Sequence, residues 1–175
     1  MPPTSTLHVL PDLELLTAAP HRLLFLAGAG NVLLAMVWWT FWLINTRWQL
    51  VALPQLNISA GWLHAFIMQY QVLPSFIFGF LLTVFPRWMG LAPYTRWHYV
   101  PVGFGLMAGQ ALTLVSLFGF EHLLFLGLLL TLAGWLTGIF YLALLLWREQ
   151  QTTWHAISAF AALVLGLIGM GLMFA

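Results

Sequence analysis

The stretch that decides the fold runs from residue 61 to residue 90 and reads GWLHAFIMQYQVLPSFIFGFLLTVFPRWMG. It is long enough to cross a bilayer, because about 20 apolar residues in a helix span the hydrocarbon core. Backbone polar groups in lipid must be satisfied within the segment, so only a helix fits. The polar residues and the proline that interrupt it are His64, Gln69, Gln71, Pro74 and Ser75.

The composition of the whole chain agrees with a membrane protein. Of its 175 residues, 62% are hydrophobic and 5% are charged, whereas soluble domains average about 25% charged residues. The net charge of +1 gives no electrostatic case for nucleic acid. Cysteine is absent, which excludes disulfides, thiolate metal sites, iron–sulfur clusters and haem attachment through C-x-x-C-H. We therefore expect an all-α, polytopic helical bundle whose main partner is membrane lipid.

Five runs of sequence are long and apolar enough to be transmembrane spans. The predicted spans cover residues 23–44, 61–85, 100–120, 123–147 and 156–175. They form a transmembrane domain over residues 21–175, after a polar arm over residues 1–20. Only Glu121 and His122 separate the third and fourth spans, which predicts a tight antiparallel hairpin. The longer connections are predicted over residues 45–60, 86–99 and 148–155.

The arginines predict the orientation of the bundle. We call side A the membrane face where the first span begins, and side B the opposite face. Side B receives Arg47 alone, and side A receives Arg22, Arg87, Arg96 and Arg148. Basic residues are in excess in cytoplasmic loops. We therefore expect the N-terminus to be cytoplasmic. A homo-oligomer or a second membrane subunit would be the protein partner of the chain.

The second span carries a polar stripe. At 100° per residue, the stripe residues fall within about 80° of one another; they are His64, Met68, Gln71, Ser75 and Gly79. This face is predicted to point to other helices or to a bound group. Pro74 cannot donate a hydrogen bond, so it should kink the helix and free a carbonyl one turn earlier, near Tyr70.

Small residues recur at similar spacing on the last three spans. They are Gly105, Gly109, Thr113 and Ser116, then Gly127, Thr131, Gly134 and Gly138, and finally Ser158, Ala162, Gly166 and Gly169. Small residues four apart let helix backbones approach closely in lipid. Close packing is the favoured interpretation, and room for a flat cofactor is the alternative.

The histidines divide between the two membrane faces. His21, His98 and His155 belong to side A, and His64 and His122 belong to side B. Neutral imidazole is the commonest metal ligand and a usual axial ligand of haem. A single histidine at the wet interface more often has an ordinary interfacial role. Two metal sites, one near each membrane face, are nevertheless geometrically feasible.

His64 is the strongest candidate ligand, because it lies on the polar stripe with Met68 one turn later. His and Met together suit haem b or copper, and His122 is a candidate partner on the same side. His21, His98 and His155 are candidates for a second centre near side A. Arg87 either anchors the span at the interface or, like Arg96, pairs with a haem propionate.

No soluble-enzyme signature helps to assign a reaction. P-loop, G-x-S-x-G, H-E-x-x-H and dinucleotide patterns are all missing from the sequence, so it indicates no enzyme class. The acidic residues are Asp12, Glu14, Glu121 and Glu149. All four lie outside the predicted spans, which argues against a proton relay through the bilayer.

One family is similar to this sequence in its first two spans. FIFGFLLTVFPRWMG (residues 76–90) resembles the signature of NnrS-type membrane proteins, and APHRLLFLAGA (residues 19–29) resembles the start of that family's first helix. HAFIM (residues 64–68) lies where members of the family often have His-Ala-His-Glu-Met. His64 and Met68 match it, while Phe66 and Ile67 replace the second histidine and the glutamate. Family members are usually longer than this chain.

The resemblance implies a haem- or copper-containing membrane protein linked to nitric-oxide stress and denitrification. On that basis His64 and Met68 would be ligands, and Phe66 would not. Two alternatives remain beside it. One is a cofactor-free accessory subunit that packs against a larger respiratory complex. The other is a small channel or carrier lined by the polar stripe of the second span.

Overall fold

The computed structural model describes residues 13–53, 58–148 and 154–173. This part of the chain is helical and contains no strand. Five helices are long and apolar enough to cross a membrane: Pro20–Trp48, Ala60–Trp88, Arg96–Ser116, His122–Arg148 and Trp154–Leu172. A single helical turn, Leu13–Leu16, precedes the first of them. The predicted all-α membrane bundle with five spans is confirmed, while its division into arm and domain stays a prediction.

The first span is longer than predicted at both ends. It begins at Pro20, whose fixed φ suits the first turn of a helix and whose missing N–H is not needed there. It ends at Trp48, because Gln49 adopts a left-handed conformation with φ of 51° and donates its N–H to the Asn45 carbonyl. Asn45 and Arg47, which were predicted to lie in a loop, therefore belong to the last turns of this helix.

The third span ends at Ser116, earlier than the predicted residue 120. The apolar sequence continues, but the chain turns at Gly119, whose φ is 105°. The Gly119 N–H donates to the Ser116 carbonyl at 3.3 Å, which closes the turn. The connection to the fourth span therefore covers residues 117–121 and is longer than the two residues predicted.

The second span changes its helical register in the middle. An α-helix over Ala60–Phe66 passes into a π-helical segment over Ile67–Val72, and an α-helix resumes over Leu73–Trp88. Pro74 supplies no N–H and its ring would clash with the carbonyl one turn earlier. The hydrogen-bond ladder accommodates this by widening, so that the Leu73 N–H donates to the Met68 carbonyl.

The Tyr70 carbonyl, predicted to lose its helical partner, accepts a hydrogen bond from another span. The indole Nε1–H of Trp135 on the fourth span donates to it at 2.8 Å. Pro74 therefore does free the Tyr70 carbonyl, and tertiary structure satisfies it.

The third and fourth spans pack backbone against backbone. A Cβ atom added at Gly105 would lie 2.7 Å from both the Gly134 Cα and the Leu130 carbonyl oxygen. A Cβ atom at Gly127 would lie 2.8 Å from the Gly109 carbonyl oxygen. Close packing is therefore the correct interpretation of these glycines, because backbone atoms fill the space that a flat cofactor would need.

Two apolar clusters surround this contact. The larger joins all five spans and includes Leu24, Phe78, Leu106, Leu142 and Met170. The smaller lies toward side B, where it packs Trp38 of the first span against Leu63 and Ile67 of the second and Leu117 after the third. Buried polar side chains lie where the first four spans meet.

We expect Gly105→Ala to destabilise the bundle by about 1–3 kcal/mol, because the added methyl group meets rigid backbone and forces two helices apart. The measurement is thermal unfolding of the detergent-solubilised protein. Gly30→Ala is the matched control, since a Cβ there has no other atom within 4 Å. Equal Tm values for the two variants would contradict the backbone contact.

We also expect Trp135→Phe to cost about 1–3 kcal/mol, because it leaves the Tyr70 carbonyl unsatisfied in the bilayer interior. Trp147→Phe is the control, since that indole is 84% exposed. In a Pro74→Ala background the same Trp135→Phe change should cost less, because the alanine N–H can then donate to Tyr70. An unchanged cost in that background would contradict the proposed link between Pro74 and Trp135.

Candidate functional site

The part of the polar stripe from Gln71 to Gly79 faces the interior, as predicted. Gln71 and Ser75 are completely buried. Gly79 is buried too, because Leu24 and the phenyl ring of Phe25, both on the first span, pack against it. His64 and Met68, nearer to side B, are half-buried.

The side-chain amide of Gln71 joins the second span to the third and fourth. Its Nε2 donates to the hydroxyls of Thr113 and Thr131, each at 3.0 Å. Each threonine hydroxyl in turn donates to the carbonyl one turn earlier on its own helix, Gly109 or Gly127, at 2.9 Å. Both N–H groups of the amide are thereby satisfied.

The first span joins the same network through Asn31. The Asn31 Nδ2 donates to the backbone carbonyl of Gln71 at 3.3 Å, and the Ser75 hydroxyl donates to that carbonyl at 3.0 Å. The Asn31 backbone carbonyl accepts from Nε2 of Gln110 on the third span at 2.6 Å. Four spans are therefore connected by neutral hydrogen bonds around the π-helical segment.

His64 is held by aromatic stacking. Its ring lies parallel to Trp39, with 4.3 Å between ring centroids and 13° between ring planes, and its centroid is 6.5 Å from that of Trp38. Its Nδ1 is buried and has no hydrogen-bond partner within residues 13–53, 58–148 and 154–173. Met68 begins the next turn and packs against the apolar cluster toward side B. The ring orientation is therefore fixed while one nitrogen keeps its bonding capacity.

His122, the predicted same-side partner, is exposed at the start of the fourth span. Its described ring contact is with Phe120, edge to face at 6.4 Å between centroids. His64 and His122 thus have different aromatic neighbours, and their joint role as ligands stays a prediction.

On side A, His21 and His98 have separate local partners. The backbone N–H of His21 donates to the Thr83 hydroxyl at 3.0 Å, and its Nδ1 lies 3.4 Å from the same oxygen. The His98 Nδ1 lies 2.7 Å from the Thr95 hydroxyl, and its ring packs on Tyr94 and Tyr141. These contacts fix the first turns of the first and third spans.

Tyr94 attaches the connection between the second and third spans to the fourth span. Its hydroxyl donates to the Tyr141 carbonyl at 2.6 Å. Burial raises the pKa of Tyr94 to about 12, although the Arg148 charge nearby opposes that shift. The phenol is therefore protonated at neutral pH and available as a donor.

His155, Arg87 and Arg96 are all exposed at side A. Trp88, beside Arg87, is exposed and stacks on Phe85 with 6.0 Å between centroids. This arrangement fits an arginine that anchors the end of the second span at the interface. A role for these three residues toward a cofactor stays a prediction.

Within residues 13–53, 58–148 and 154–173, no three side chains of His, Cys, Asp or Glu form a group that could hold a metal ion. Haem needs at most two axial ligands, and a thioether can be one of them. His64 and Met68 are both half-buried, and their role as ligands stays a prediction.

A cavity of about 670 Å³ opens toward side B. Its walls include Trp38, Phe41, Trp42 and Phe118, and its polar lining includes Asn45, Thr46, Gln49 and Ser59. Volume and lining are typical of small-molecule pockets. Trp38 lines the cavity, and the centroid of its ring lies 6.5 Å from that of His64.

Sequence reasoning missed four residues that shape this region. Asn31 and Gln110 link the first and third spans to the polar network. Trp39 stacks on His64, and Trp135 donates to the Tyr70 carbonyl. The available signal for the two amides was a single polar side chain within an apolar run, since such residues usually face the bundle interior. The tryptophans gave no comparable signal, because tryptophan is also common at lipid-facing interfaces.

Comparison with protein families decides the relationship. The model of the NnrS family, described as NnrS protein, matches residues 15–175. The chain belongs to the NnrS family. The predicted resemblance is thereby confirmed, and it extends from the first two spans to all five. The comparisons with curated proteins and with solved structures found no match.

The stretch that resembles the family signature has a definite place in this NnrS protein. Residues 76–90 form the side A half of the second span, from Phe76 past the helix end at Trp88. Gly90 follows with φ of 65°, a conformation that glycine adopts without strain. This stretch therefore includes both the Gly79 contact with the first span and the turn that ends the helix.

Proposed function

We propose that this NnrS protein binds haem b or copper near side B and takes part in the response to nitric oxide. His64 carries the proposal, because its Nδ1 is buried without a hydrogen-bond partner while its ring is held in place. A buried polar atom usually has a partner. A metal ligand is one role that an unpartnered imidazole nitrogen can serve.

His64 would be the protein ligand of a bound haem or copper. The Met68 thioether, one turn later on the same helix, would be the second ligand for copper. Bound haem or copper would supply a coordination position and one-electron chemistry for a diatomic molecule. Trp39 stacks on the imidazole and restricts rotation of the ring. Trp38 adds an apolar wall that excludes water from one side.

The opposite membrane face supports a separate proposal. If a second centre exists at side A, His21, His98 and His155 are its candidate ligands, and Arg87 and Arg96 are candidates to pair with propionates. Along the second span, His64 and Arg87 are 23 residues apart by number, so about 35 Å separates them at 1.5 Å per residue. Arg87 therefore cannot serve a group at His64.

We also propose an orientation for the bundle, from the excess of arginine on side A. With side A in the cytoplasm of a bacterium, His64 and the aromatic cavity would face the periplasm. A cofactor there would lie within reach of a diffusing diatomic molecule from either the bilayer or the periplasmic water.

The deciding experiment is an absorption spectrum of the purified protein, oxidised and then reduced with dithionite, with metal content measured on the same sample. We expect a Soret band with sharpened visible bands on reduction, or copper without haem. His64→Ala should remove the signal, and Met68→Leu should shift it. Gln69→Ala is the matched control, because Gln69 lies on the same span but is exposed.

Two results would contradict the proposal. One is an unchanged spectrum in His64→Ala. The other is a metal-free protein with a blank spectrum from cells supplied with both haem and copper. The second result, together with co-purification of a larger membrane complex, would favour the accessory-subunit alternative.

A further inference from the structure

Among the residues that the structure describes, two buried side-chain carbonyl oxygens in the membrane interior have no hydrogen-bond partner. They are Oε1 of Gln71 and Oε1 of Gln110. Both side chains are completely buried. A buried acceptor without a donor costs about 1–3 kcal/mol, and the bilayer core offers no bulk water to relieve it.

The two amides belong to one junction. Gln110 lies three residues before Thr113, which puts both on one face of the third span, and Thr113 accepts from the Gln71 amide. Asn31 accepts from Gln110 through its backbone carbonyl and donates to the Gln71 backbone carbonyl. The two unpartnered oxygens therefore lie where the first three spans converge.

The chemistry of the junction selects the ligand. Because both unpartnered atoms are acceptors, the ligand must donate hydrogen bonds or carry positive charge, which excludes anions. A cation would need compensation in this low-dielectric interior. The chain's acidic residues, at positions 12, 14, 121 and 149, all lie outside the five spans, so they supply none.

We propose that a water molecule binds at this junction and bridges Gln71 Oε1 and Gln110 Oε1. Water is the smallest neutral molecule with two O–H donors, one for each oxygen. Buried waters typically satisfy polar groups of this kind, with about three hydrogen bonds each. The bound water would connect the second and third spans beside the π-helical segment, where no direct hydrogen bond joins the two amides. This site is independent of any metal at His64.

The first test is a crystal structure of the full chain in a lipidic mesophase, at about 2 Å or better. We expect electron density for one water within hydrogen-bond distance of both oxygens. Three results would overturn the proposal: ordered amides without that density, a Gln71 amide turned so that Oε1 accepts from the threonines, or an ion with short coordination distances.

The second test uses thermal unfolding of Gln71→Met, Gln110→Met and the double variant. If one water bridges the two side chains, either replacement releases it. The Tm loss of the double variant should then be smaller than the sum of the single losses. Additive losses would overturn the bridge, since sites without a shared partner add.

The matched control pairs Gln71→Met with Tyr99→Phe. Tyr99 is also buried and lies on the same span as Gln110, but its hydroxyl donates to the Thr17 carbonyl, which is not a partner of Gln71. Additive losses are expected for this pair. Equal coupling in both pairs would indicate a general packing effect and would also overturn the proposal.

Discussion

A carbonyl group inside a bilayer must accept a hydrogen bond from a donor within the protein. In the second span this requirement determines which side chains of the neighbouring helices contact it. Pro74 removes one donor from the helix, which leaves the Tyr70 carbonyl to be satisfied by Trp135 from the fourth span. The widened π-helical segment also places the Gln71 carbonyl where Asn31 of the first span can donate to it. Because each unsatisfied carbonyl is costly in lipid, the π-helical segment requires hydrogen-bond donors on neighbouring helices. Those donors determine how the helices meet.

The glycines of the third and fourth spans follow from the same requirement. Gln71 is held by two threonine hydroxyls, and each hydroxyl lies against a glycine of the facing helix. A Cβ at Gly127 would lie 2.8 Å from the Thr113 hydroxyl, and a Cβ at Gly109 would collide with the Thr131 hydroxyl. The small residues therefore permit close backbone contact and also leave room for the hydroxyl pair. A larger side chain at either glycine would disturb the amide as well as the packing.

Sequence reasoning worked where a single segment contains the cause. Proline chemistry predicted the freed Tyr70 carbonyl, and helical periodicity predicted that Gln71 and Ser75 face inward. The predicted helix ends were inaccurate where backbone conformation determines them. The third span ends at Ser116 because the chain turns at Gly119, although the apolar sequence continues. The partners of the site were beyond reach, since Trp135 is 65 residues from Tyr70 in sequence and nothing local relates Trp39 to His64.

The π-helical segment also links the buried network to His64. A π-helical turn contains one residue more than an α-helical turn. Each such extra residue rotates the helix before the π-helical segment by about 100° relative to the helix after it. His64 precedes the segment, and Gln71 lies inside it. The direction of the imidazole is therefore set by two constraints: the hydrogen bonds that stabilise the π-helical segment, and the Trp39 ring that stacks on the imidazole. A regular α-helix through residues 67–72 would turn the His64 ring away from Trp39 even with every residue around His64 unchanged. The polar network at the junction of the spans thus positions the candidate ligand from a distance.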